Sequence, residues 1–107
     1  MGHIKHHTMS VVDYGYPNSY IELKKARNKT IELGMTASDI VTSPVNEYHS
    51  FFVAPDGSKE GWNESLIGDK QREELVNFIR RECPSLVFAE VAINVDGKEV
   101  DIEDYKI

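Results

Sequence analysis

The chain has 107 residues, 40% of them apolar and 28% charged, and a net charge of −6. That composition fits one small acidic globular domain and argues against disorder, collagen-like repeats and a generally basic nucleic-acid surface. At this size about 65% of the unfolded surface is buried on folding, so a core forms without staples, in keeping with the single cysteine, Cys83.

Residues 1–8 hold three of the four histidines, His3, His6 and His7, and precede a second methionine, Met9. They lack the apolar run of a signal peptide and read as an expression leader resembling a His tag, with a single domain expected over 9–107. Met9–Val12 suits a short strand, and Asp13–Ser19 a loop marked by Gly15 and Pro17. The next stretch is read as a helix. Ser19 and Glu22 form a capping-box pattern, Gly34 suits the position after a helix, and Tyr20, Leu23, Ala26, Thr30 and Leu33 share a face. The rival is a hairpin of Tyr20–Lys25 and Lys29–Leu33 about an Ala26–Asn28 turn; termination chemistry at both ends favours the helix.

Ile40-Val41 forms a small apolar centre, and Tyr48–Ala54 is rich in strand formers, ending in the turn sequence Pro55-Asp56-Gly57-Ser58. Lys59–Trp62 is read as a short returning strand. A second helix is expected from an Asp69 N-cap through Glu82, with Leu75, Val76, Ile79 and Cys83 on one face, Phe78 at its edge and Pro84 as the stop. Leu86–Val95 alternates, with Val87, Ala89, Val91, Ile93 and Val95 on one face. Asp96-Gly97 then predicts a hairpin to a return strand through Val100 and Ile102, whose other face carries Glu99, Asp101 and Glu103. The expected fold is α+β: an antiparallel sheet of three to four strands with two helices packed on one face.

Catalytic signatures are sparse. The Asp56–Gly68 segment matches calcium-loop positions at Asp56, Ser58, Glu60, Trp62 and Glu64, but Ile67 stands where the bidentate glutamate belongs, so no metal is assigned. Cys83 ends a helix on an apolar stripe, where a thiolate is disfavoured, which leaves a Cys83–His49 pair without support. No phosphate-binding glycine loop, nucleophile elbow, zinc motif or cysteine cluster is present, and no cofactor is expected. No apolar run is long enough to span a membrane, and the lone cysteine fits a cytoplasmic protein.

The segment Pro55-Asp56-Gly57-Ser58-Lys59-Glu60-Gly61-Trp62, followed by Gly68-Asp69 and a helix, resembles small proteins carried by phages and mobile elements, over roughly residues 48–82. The resemblance implies a cytosolic accessory protein that acts by binding a host protein, and it transfers no catalytic residue. The leading expectation is therefore a non-enzymatic interaction module. Its anchor would be Trp62 with Phe51 or Phe52, rimmed by Lys59, Glu60 and Glu64. One alternative is RNA or single-stranded nucleic-acid binding through Lys24, Lys25, Arg27 and Lys29 with Tyr14, Tyr16 and Tyr20. The other is a small hydrolytic enzyme using His49 and carboxylates, which needs a cleft that collects them.

Overall fold

The computed structural model describes residues 4–58, 61–96 and 99–106, with side chains described for 6–58 and 61–94. The elements run β1 (Ile4–Asp13), α1 (Ser19–Glu32), β2 (Val41–Thr42), β3 (His49–Val53), α2 (Asn63–Glu82), β4 (Leu86–Asp96) and β5 (Glu99–Lys106). The α+β class is as expected. Four strands of five residues or more form an antiparallel sheet with the two helices against it, and the two-residue β2 adds a fifth strand in the order β2-β3-β1-β4-β5. β1 is central. It pairs with β4 from Ile4↔Val95 to Asp13↔Leu86, so residues 4–8, read in the sequence as leader, lie in register against Val91–Val95.

Strand alternation decides what faces the helices. Met9, Val11 and Asp13 of β1, Phe51 and Val53 of β3, and Leu86, Phe88 and Ala92 of β4 point inward and are buried. They meet Leu23 and Ala26 of α1 and Leu75, Val76 and Ile79 of α2, with Cys83 just beyond α2. Val87, Ala89, Val91 and Ile93 do share a face, but it is the one turned away from the helices. The inner row instead includes Glu90, which is tolerated because the buried Arg72 reaches it from α2, Nε to Oε1 3.3 Å.

The region from Ser19 to Leu33 is a helix rather than a hairpin. Its C-terminus closes as a Schellman motif: Gly34 N–H donates to the Ile31 carbonyl, Met35 N–H donates to that of Thr30, and Gly34 sits at φ 94°. The N-terminus differs from the capping-box expectation. Asn18 occupies the cap at φ 69° with no side-chain bond, and the Glu22 carboxylate instead accepts the Ser85 N–H, tying α1 to the segment before β4.

α2 starts at Asn63 with Trp62 as its cap, about two turns before the expected Asp69 cap, so Gly61-Trp62 leads into a helix rather than forming a strand. Gly68 explains the difference. It reads as a breaker, yet it lies inside the helix, where a Cβ would stand 2.9 Å from Asp56 Oδ2 and 3.1 Å from an Arg72 guanidinium nitrogen. The missing side chain lets the Asp56–Ser58 turn press on the helix. Gly97 and Lys98 of the expected hairpin, and the side chains of Glu99, Asp101 and Glu103, lie outside the described residues; the β4–β5 pairing itself is antiparallel, from Asp96↔Glu99 to Glu90↔Lys106.

Candidate functional site

Two regions at opposite ends of the molecule collect chemistry. The end is fixed by connectivity: α2 finishes one short turn before Leu86, which pairs with Asp13, so the last turn of α2 lies near Asp13 and its first turn lies far away.

At the far end, Trp62 leads into α2 and is 49% exposed, with Leu66 and Ile67 in the next turn 57% and 55% exposed. Helix geometry stacks Leu66 one turn above Trp62, and the Leu66 N–H donates to the Trp62 carbonyl. Exposed Asn63, Glu64, Asp69 and Lys70 surround this apolar group. The segment is anchored from beneath. Arg72, buried in α2, contacts both Asp69 and Glu90, while Asp56 Oδ1 accepts the Ser58 N–H at 2.8 Å and its hydroxyl at 2.7 Å. Partial burial pushes the Asp56 carboxyl up, but the Ser58 hydrogen bonds and the charges of Arg72 and His7 prevail and hold it below the ordinary carboxylate value.

The expected anchor is therefore only partly assembled. Trp62 and Glu64 are exposed together, and Lys59 and Glu60 lie outside the described residues. Phe51 drops out: strand alternation points it into the core at 2% exposure, while its neighbour Phe52 is exposed on the face of the sheet opposite the helices. Leu66 and Ile67 were missed because the stretch before Asp69 read as a loop. Asn63 and Glu64 being helical also removes the continuous loop that the calcium-type spacing needed.

At the near end, a cleft of about 320 Å³ opens between the β1–α1 loop, the start of α1 and the turn before β3. Asp13, Gly15, Tyr16, Asn18, Ser19, Tyr20, Ile21, Glu47 and His49 line it. Asp13 is 1% exposed, and its Oδ1 accepts the Gly15 and His49 backbone N–H groups, each at 3.3 Å. Its Oδ2 lies 3.2 Å from His49 Nδ1 but makes no aligned hydrogen bond. The His49 ring tilts against Tyr20 at 4.4 Å, and Lys24 Nζ sits 4.6 Å from the Tyr20 ring centre. His49 thus occupies a cleft with two carboxylates, Asp13 and Glu47. Neither acid was singled out from the sequence, although Asp-x-Gly is the pattern of an Asx turn in which the carboxylate folds back on the backbone.

The basic residues of the nucleic-acid alternative diverge. Arg27 Nε donates to the Ser38 carbonyl at 2.7 Å and reaches Asp39, while Lys29 pairs with Glu32 and lies over Phe78. Lys24 stays beside Tyr20 and Lys25 is exposed, while Tyr14 and Tyr16 are exposed, Tyr14 packing edge-on against Tyr48. Cys83 is buried; its thiol donates to the Glu22 carbonyl at 3.4 Å, and burial with Glu22 nearby pushes it up to about 11. No helix among the described residues is long and apolar enough to cross a membrane. In comparison with known proteins, the chain matches no family model and no curated protein.

Proposed function

We propose that the chain is a non-enzymatic interaction module that binds a protein partner through the first turns of α2. One observation carries this reading: Trp62, Leu66 and Ile67 are three large apolar side chains about half exposed within six residues, on a segment anchored by the buried Arg72. Large exposed aromatic and aliphatic groups on a rigid element are the usual centre of a binding patch, and charges make its rim. The rim here is mostly acidic, with Glu64, Asp69, Glu73 and Glu74 against Lys70, so the partner surface is an apolar groove with basic edges. The phage-like Pro55–Trp62 segment leads directly into this patch, which agrees with a host protein as partner. A pull-down from the native host tests it. Trp62→Ala should lose a protein that the parent chain retains, with unchanged thermal unfolding; equal retention by the variant rejects the reading.

A second reading, a small hydrolytic enzyme, is favoured by the cleft that gathers His49 with Asp13 and Glu47. In it, Asp13 orients the imidazole and His49 takes a proton from an attacking water. Hydrolysis of p-nitrophenyl acetate that disappears in His49→Gln would support it, and equal rates in parent and variant would remove it.

A further inference from the structure

We propose that the face of the sheet turned away from the helices is a self-association surface, on which a second copy of this chain packs about a two-fold axis. It is separate from the α2 patch, because α2 packs on the other side of the sheet.

The distribution of charge over the sheet points to this face. An antiparallel sheet covered on one side ordinarily turns its apolar residues to the cover and its polar residues to water. In this chain, cross-strand register places Lys5, Glu90, Asp96, Glu99, Asp101 and Asp104 in the helix-side row, with the core residues. No paired position in the opposite row carries Lys, Arg, Asp or Glu, and Glu103, at the β5 bulge, has no partner in the register. That row holds Val12, Phe52, Val87, Ala89, Val91 and Ile93, none of them buried. Register continues it into β5 through Ile102 and Val100. At about 4.8 Å between strands and about 3.4 Å per residue, the row covers about 500 Å². An apolar patch of that size marks a contact surface.

Two features make the occupant a second copy. The first is charge. The α2 patch has an acidic rim, whereas this face offers no charge for a different partner to match. A chain with a net charge of −6 meets its own kind with least repulsion through a row that carries no formal charge at pH 7. The second is shape. Ser10 pairs with Phe52 on one side and with Ala89 on the other, so one line across three strands runs large, small, small. Phe52 is 42% exposed and stands beside the dip over Ser10 and Ala89, which the pairs Val12–Val87 and Thr8–Val91 flank. A two-fold axis in the plane of contact seats each Phe52 in the dip of the other copy. Twisted sheets of one hand stack in this way, about 10 Å apart and about 30° from parallel. Two such faces bury about 1,000 Å², the size at which specific interfaces begin.

The test is sedimentation equilibrium of the whole chain from about 1 μM to about 500 μM, since interfaces at this lower limit of size are weak. A reversible monomer–dimer equilibrium is expected. Phe52→Asp should weaken it about a hundredfold, because the symmetry puts two unpaired charges into the contact. Ala89→Leu is the sharper variant. It adds apolar surface, so indiscriminate sticking would increase, whereas filling the dip should weaken the dimer about tenfold. Trp62→Ala should leave dimerisation unchanged. Neither Phe52 nor Ala89 is buried, and thermal unfolding of each variant confirms that the fold is intact. A chain that stays monomeric, one that grows past the dimer, or a dimer that Ala89→Leu leaves as tight or tighter would each overturn the proposal. A dimer lost in Trp62→Ala but kept in Phe52→Asp would overturn it in favour of the α2 patch, and a monomer that sediments with phosphatidylcholine vesicles would do so in favour of a lipid surface.

Discussion

Cys83 shows how position decides what a reactive side chain does. At the end of α2, with its thiol against the Glu22 carbonyl, it is a small core group. Burial raises its value from an ordinary 9.0 to about 11, so the folded state keeps the proton longer than the unfolded chain does. The stability this contributes is full below pH 9.0 and is lost as pH rises through about 11. Urea unfolding across that window should show a decline that Cys83→Ala lacks, and alkylation of the native thiol near neutral pH should be far slower than after unfolding. Asp56 has the opposite sign. Its carboxyl is held below 3.8, so its contribution is present above that value and is lost as pH falls through the depressed one. Asp56→Asn should flatten the acid side of the stability profile, measured by denaturant titration between about pH 2 and about pH 5.

The clearest test at the level of an element is Gly68 in α2. Replacing a helix-interior glycine with alanine ordinarily stabilises by about 1 kcal/mol. Here the new Cβ would meet Asp56 Oδ2 at 2.9 Å and an Arg72 guanidinium nitrogen at 3.1 Å, side-chain ends that must move aside, so Gly68→Ala should forfeit most of that gain in urea unfolding. The same glycine marks where the sequence misleads. Both helices were legible from their apolar faces, and the end of α1 from Gly34, because spacing and left-handed backbone are local properties. The start of α2 was not, since Gly68 reads as a breaker, and the packing against it of a turn twelve residues earlier is a tertiary contact that no local pattern carries. The inner row of β4 was hidden for a related reason: Glu90 faces the core only because Arg72 is there to meet it. Of the candidate sites, Trp62 and His49 were readable as residue types. Leu66, Ile67, Asp13 and Glu47 became visible only once the fold placed them beside those two.

For the whole molecule, the sheet carries the helices on one side and leaves Val12, Phe52, Val87 and Ala89 on the other, the side chains of Phe52 and Val87 exposed. Its length depends on residues 4–8, which cover one edge of β4 from Val91 to Val95. Removing residues 1–8 should bare that edge, and unpaired strand edges recruit further strands. The shortened chain is expected to associate with increasing concentration in sedimentation experiments more strongly than the full chain; identical sedimentation would show that this pairing protects nothing. The central place of β1 also sets a timetable. Its partner β4 follows it only after two helices and two other strands, so β1 waits for all of them before its longest ladder can form. Closing so wide a loop slows folding towards the millisecond-to-second range of sheet-dominated domains. Until then the edge of β1 that β4 fills stays unpaired, and that interval is when the chain is most prone to pair with another copy of itself.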